Sequence, residues 1–240
     1  AFVTSDPDGD GVYETLQSFN FTAFAVDSSG AGTTASTNFS AQSRIYGTGA
    51  DPILIDFGAV DGLDDNFGDA PKLFDINADN AGETPDERVF LPDSDVGILV
   101  YNTGGLADNT YLSMVDHVFS ERFEYQGKTA NSSFEALLLL DSTVDGSGDG
   151  VIGAGDAAFD AGLIGYWQDI DADGAYDIGE VTQLSGDDVI SLNSPEISGD
   201  VIDGSASSAY EGLVLREATA SIGGTNLTAY EVALAQEVLA

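Results

Sequence analysis

Cysteine is absent from the 240 residues, histidine occurs once, and 6 lysines and arginines stand against 42 aspartates and glutamates. Without cysteine there is no disulfide framework and no thiolate for zinc or for nucleophilic chemistry. A single histidine excludes an HExxH zinc helix, and no G-x-S-x-G nucleophile elbow occurs. His117 follows Asp116, which could orient an imidazole toward a serine, but both fall beside an apolar stripe and read as an ordinary semi-exposed pair. The net charge of −36 speaks against nucleic acid or an anionic bilayer as partner, because both need a basic surface. The longest aliphatic run, Leu137 to Leu140, falls far short of the roughly 20 residues that span a bilayer, so no direct membrane insertion is expected. Phosphate loops fail as well, since the glycine-rich segments carry no lysine. No enzyme is expected.

What is present suffices for a core: hydrophobic residues make up 42% of the chain. The acid is uneven, with 30 Asp against 12 Glu, and aspartate favours turns, caps and ligand loops over helix faces. Acid serving only solubility in salty water would be scattered. Here it is spaced.

From Asp169 the chain reads D-I-D-A-D-G-A-Y-D-I-G-E, which sets Asp169, Asp171, Asp173, the carbonyl of Ala175, Asp177 and Glu180 at positions 1, 3, 5, 7, 9 and 12 of a calcium loop. Gly174 falls at position 6, where the backbone must bend sharply. Calcium takes six to eight hard oxygens, and the longer Glu180 can close the sphere with both of its own. Upstream, Asp145, Ser147, Asp149, Gly150, the Val151 carbonyl and Asp156 repeat the pattern with a shorter closing acid. The spacing of the two loops predicts a paired EF-hand, entered by a helix over Phe134 to Leu140 whose start is marked by a capping box of Ser132 and Glu135. Weaker versions occur at Asp75, Asn77, Asp79 and Glu83, with Asp93 or Asp95 as further ligands, and at Asp6, Asp8, Asp10, the Val12 carbonyl and Glu14.

Elsewhere, alternation over residues 16–26 and again after D-S-S-G-A-G predicts a β-hairpin. Short strands are expected at Pro52 to Phe57, Gly97 to Tyr101, Val189 to Leu192, Glu196 to Ile202 and Gly212 to Arg216. Residues Thr110 to Tyr125 place Leu112, Val115, Phe119 and Phe123 on one helical stripe, and Thr228 with Glu231 reads as the capping box of a C-terminal helix. The expected fold class is therefore α+β: a β-rich, calcium-bound module with a paired EF-hand-like region over 133–184 and a few helices. It forms one unit over 1–240, with the hairpin segment 1–42 as a possible separate Ig-like neighbour, and is expected to be a monomeric module of a longer chain.

The succession P-I-L-I-D-F at Pro52, F-D-I-N-A-D at Phe74, P-D-S-D-V-G-I-L-V at Pro92, F-E-A-L-L-L-L-D at Phe134, D-G-S-G-D-G-V-I at Asp145 and W-Q-D-I-D-A-D-G at Trp167 resembles the EF-hand-containing, calcium-dependent peptide-binding modules of bacterial RTX adhesins. The resemblance implies type I secretion, an extracellular place at the bacterial cell surface, calcium as cofactor, and recognition of peptide or protein C-terminal ends on other cells in adhesion and biofilm formation. It does not carry the pocket residues. Tyr101, Tyr111 and Arg122, in the aromatic and cationic stretch, are the candidates for a ligand wall. A calcium-stiffened spacer and a carbohydrate-binding module of the same kind of adhesin are the alternative readings.

Overall fold

The computed structural model describes residues 15–26, 32–43, 51–58, 63, 71–76, 87–141, 148–192, 196–197, 201–203 and 210–234. The chain divides into two compact units, Ala1–Gly47 and Thr48–Ala240. In the first, β1 (Thr15–Val26) pairs antiparallel with β2 (Gly32–Ser43), in register from Thr15 opposite Ser43 to Val26 opposite Gly32. This is the hairpin that the alternation predicts.

The second unit contains β3 (Ile53–Asp56), β4 (Lys72–Leu73), β5 (Arg88–Val89), β6 (Val96–Tyr101), β7 (Glu124–Tyr125), β8 (Lys128–Thr129) and helix α1 (Ser133–Leu140). There follow β9 (Val151–Ile152), the one-turn helix α2 (Ala157–Asp160), β10 (Ile164–Trp167), β11 (Val181–Gln183), β12 (Val189–Ser191), β13 (Glu196–Ile197), β14 (Val201–Asp203), β15 (Tyr210–Ile222) and β16 (Thr225–Leu234). The main sheet runs β11-β10-β6-β3-β16-β15-β12-β9, with β13 and β14 also paired to β15. Its pairings are all antiparallel.

Alternation along the central strands explains the packing. Ile53 and Ile55 of β3 join Leu99, Phe119, Phe123, Phe134, Leu137 and Leu140 in one core, while Leu54 lies on the other face, opposite Ile98. Ile98 in turn is opposite Trp167, whose ring stacks on Phe74 at 6.3 Å, so both faces of these strands are covered. The first core draws on both ends of the strand order, from Leu184 just past β11 to Ile152 in β9, and the sheet curls around it. Helix α1 starts where the capping signal predicts: the Ser132 hydroxyl accepts from Glu135 N–H at 3.2 Å.

The structure corrects the α+β expectation. The second unit is a β structure with two short helices among the described residues, and no EF-hand helix pair forms. The loop from Asp169 to Glu180 is entered by β10 and left by β11, where Trp167 is opposite Val181 and Gly165 opposite Gln183. A Cβ on Gly165 would stand 2.7 Å from the Thr182 carbonyl, so the two backbones are pressed together as strands and leave no room for flanking helices. The C-terminal helix is also absent over the described residues, because Thr225–Leu234 is the partner strand of β15. Gly223 and Gly224, at φ of 59° and 77°, make the two-residue turn that joins them.

Nor is Thr110–Tyr125 a helix. Of the stripe, Leu112, Phe119 and Phe123 are buried and Val115 is half-buried, but apart from one helix-like bond from His117 N–H to the Ser113 carbonyl at 2.9 Å much of the backbone bonds outward: Met114 N–H to the Asp75 carbonyl at 3.1 Å, Phe119 N–H to Leu99 at 3.4 Å, and Tyr101 N–H to His117 at 2.7 Å. The Ser120 hydroxyl donates to the Met114 carbonyl at 2.8 Å and closes a turn where helix bonding would have run. The segment is a series of turns laid along β6.

Candidate metal centre

The lower acidic loop, 168–180, is an excursion between two paired strands, closed at its base by the Gln168 N–H bond to the Glu180 carbonyl at 3.0 Å. Carboxylate oxygens of Asp169, Asp171 and Asp173 lie within 4.8 Å of one another. Oxygens bound to one calcium at about 2.3–2.6 Å can be that far apart, so the three fit a single ion. Asp169 is buried, while Asp171 and Asp173 are exposed. Burial pushes the Asp169 carboxyl up to about 6, against the Gly174 and Asp173 N–H groups that pull it down. Asp171 is also held above its ordinary value, by desolvation first and by the neighbouring Asp173 charge.

Backbone donors fix the geometry. Asp169 accepts from Asp173 N–H at 3.1 Å and from Gly174 N–H at 3.0 Å, and Asp173 accepts from Ala175 N–H at 2.7 Å. Gly174, at φ of 85°, supplies the bend required of position 6. Glu180 is buried and already engaged: one oxygen accepts from Ile170 N–H at 2.8 Å, the other from the Trp167 indole at 2.9 Å and Asp177 N–H at 3.0 Å. It closes the loop by gathering N–H groups, and any bond to an ion would be shared with these. Ala175 is buried, and Asp177 accepts from Asn109 N–H at 2.7 Å, which ties the loop to the 103–110 turn.

The upper loop repeats this arrangement from a different starting acid. Asp141, at the C-terminus of α1, accepts from Gly148 N–H at 2.9 Å, Asp149 N–H at 3.3 Å and Gly150 N–H at 2.8 Å. Asp149 accepts from Val151 N–H at 2.9 Å, and buried Asp156 accepts from Gly153 N–H, three residues before it, at 2.8 Å. The correspondence with the lower loop is residue for residue: Asp141 stands for Asp169, Asp149 for Asp173, Gly150 for Gly174, and Asp156 for Glu180. Spacing misses Asp141 because this loop is four residues longer between its first acid and its glycine. The available signal is the acid placed directly after the leucine run, where the helix hands the chain to the loop. Asp145 and Ser147 lie outside the described residues.

Of the weaker sites, Asp75 is buried and its backbone bridges to Ser113. Asn77, Asp79, Glu83 and the whole set Asp6, Asp8, Asp10, Val12 and Glu14 lie outside the described residues. Asp93 and Asp95 are exposed in a turn whose carbonyls accept from Val96 and Phe57 N–H groups. Tyr101 is half-buried and packs edge-on against Phe119, Phe123 and Tyr125 at 5.6–6.2 Å between ring centres. It therefore sits in an aromatic cluster belonging to the core. Tyr111 and Arg122 are half-buried on the turn-rich segment, and Arg122 N–H donates to the Ser120 hydroxyl at 3.0 Å. His117 Nδ1 accepts from Ser113 N–H at 3.3 Å, and burial lowers its pKa while Asp116 opposes this.

A family model described as the SPM domain matches residues 54–234, from within β3 to the last residue of β16. The match contains the curled sheet path apart from the first residue of β3, and both acidic loops, and leaves out the β1–β2 hairpin. No curated protein matches the chain.

Proposed function

The chain belongs to the SPM domain family, a description that names no activity, and from the loop geometry we propose that it is a calcium-stabilised binding module. The observation that carries this is the convergence of Asp169, Asp171 and Asp173 in a loop whose backbone donors hold the acids in place. Bringing like charges together costs free energy, and a divalent cation offsets it. Asp169, Asp171, Asp173 and the Ala175 carbonyl would hold the ion, with Glu180 fixing the loop around it. In the upper loop Asp141, Asp149 and the Val151 carbonyl stand at the corresponding positions, with Asp156 fixing the loop as Glu180 does below, and these acids are less closely gathered than the lower three. Extracellular calcium modules bind at about 0.1–1 mM, and at a hundredfold excess over the dissociation constant each site would add about 2.7 kcal/mol to stability.

The order of motifs that resembles RTX adhesin modules extends the reading to an extracellular surface protein that grips peptide C-terminal ends. Comparing a peptide with its C-terminally amidated twin addresses that part separately, and equal affinity would remove the carboxylate from the proposal. The cation itself has a built-in reporter, since the single tryptophan donates to Glu180. Terbium added to the protein and excited through Trp167 should luminesce, and calcium should displace it. In D171N/D173N the signal should fall at least tenfold, as loss of two ligands weakens binding by about 1.4 kcal/mol or more. Absence of calcium binding up to about 10 mM, well above the range of such modules, would refute the reading.

A further inference from the structure

Away from both loops, a second group of acids gathers beside β3 and β16, Glu231 on the sheet and Asp51 and Glu121 on the segments that flank it. Asp51 and Glu231 are 7% and 1% exposed, unusual for carboxylates. They meet at the start of α1. Ser133 N–H donates to Glu231 Oε1 at 2.8 Å, its hydroxyl donates to the Asp51 carbonyl, and Glu121 N–H donates to Asp51 Oδ1 at 3.0 Å. Three parts of the chain are thus joined: the lead into β3, the turn-rich connection from 110 to 131, and α1 with β16.

The cations are unevenly shared. Arg216 of β15 pairs with Glu231 at 2.9 Å and also favours the charge on Glu135 of α1, while Arg122 acts on Glu121. Among the described residues none lies within ion-pair reach of Asp51, whose carboxylate bonds to a neutral peptide group and faces the charges of Glu121 and Glu231. Three carboxylates against these two cations, with Asp51 nearly free of solvent, favour holding a proton there.

We propose that Asp51, Glu121 and Glu231 form a proton-sensitive latch, which fastens the 110–131 connection and the start of α1 to the sheet in mildly acidic solution and loosens as the solution becomes alkaline. Burial raises the Asp51 carboxyl from 3.8 to about 7, and Glu121 is raised as well, chiefly by burial. The sign follows from linkage. Between these values the folded chain keeps a proton that the unfolded chain has lost, so the stability contributed is full below about pH 4 and is lost as pH rises through about 7. The connection so held carries Tyr111 and Arg122 and is joined to the lower loop by the Thr110–Tyr176 bridge.

The test compares wild type with D51N, which mimics the neutral carboxyl, in constant excess of chelator from pH 5.5 to 8. Subtracting the two profiles removes the titration of Asp169. After correction for intrinsic exchange, protection of the Glu121 amide should fall about tenfold or more in wild type and less than about twofold in D51N. D51N should also unfold at a higher temperature than wild type at pH 8. Parallel profiles would overturn the proposal. Should D51N fail to fold, carboxyl-carbon NMR of the wild-type protein decides: an Asp51 midpoint well above 6 supports the latch, and one near 4 refutes it.

Discussion

The two acidic loops share a hydrogen-bond skeleton and differ in what encloses it. The lower loop is clamped: strands close its base, the Trp167 indole holds Glu180, and the β4 backbone presses on it. A Cβ on Gly174 would stand 2.9 Å from Lys72 Cβ and 3.1 Å from the Leu73 carbonyl, and the Lys72 ammonium donates to the Ala172 carbonyl. The upper loop hangs from a helix, is longer by four residues, and ends on the shorter Asp156, which is the N-cap of the one-turn α2. The strands that carry them, β11 and β9, stand at opposite ends of the strand order. The comparison teaches that the pattern of backbone donors around a first acid defines such a loop better than the count of residues within it.

The clamp is the sharpest difference, and breaking it should give the largest effect. Glu180→Ala would strip acceptors from Trp167, Ile170 and Asp177 in a buried setting. Leaving these donors unpaired should cost about 3–5 kcal/mol even with calcium chelated, or roughly 10 °C in unfolding midpoint for a chain of this size. Trp167 fluorescence should shift at the same time. Asp156→Ala should leave that fluorescence unchanged, because its loop has no contact with the indole through a closing acid. A shift common to both variants would mean that the loops are not independently closed.

How much of this was legible in the sequence varies with the kind of signal. The lower loop could be read because its acids keep even spacing and Gly174 lies at the bend. Strands β3 and β6 could be read from short apolar runs, and α1 from its Ser132 cap. The paired EF-hand could not, because the spacing of ligands fixes a loop and says nothing of whether strands or helices flank it. For β16, Thr228 and Glu231 mimic a capping box, whereas the signal that decides the hairpin is the Gly223-Gly224 turn. In Thr110–Tyr125 the stripe residues Leu112, Phe119 and Phe123 are indeed buried, but partners distant in the chain, Asp75 and Leu99, claim the N–H groups of Met114 and Phe119. Periodicity reports burial, and only the tertiary partners decide the backbone.

A smaller effect separates the two candidate first acids of the upper loop. Asp141→Asn keeps one acceptor oxygen but turns an amide toward a backbone donor, either Gly150 or the Gly148–Asp149 pair. It should cost about 1–3 kcal/mol and abolish one calcium site in a titration. Asp145→Asn, the position that even spacing selects, should change stability by less than about 0.5 kcal/mol and leave the count of sites intact. The reverse order would restore the spacing argument and break the correspondence between Asp141 and Asp169.

The smallest effect concerns what the loops display. Ile170 and Ile178 are 64% and 70% exposed, the most exposed large apolar side chains among the described residues, and both sit on the lower loop. The residue two before the closing acid is Ile178 below and Ala154 above, and both are exposed. Neither supports packing, so Ile178→Ser and Ala154→Ser should each alter unfolding by less than about 0.5 kcal/mol, with or without calcium. If the clamp alone distinguishes the loops, the two substitutions are indistinguishable. A calcium-dependent loss confined to Ile178→Ser would show instead that the ion draws this side chain inward, making the lower loop a moving part where the backbone donors now describe a fixed one.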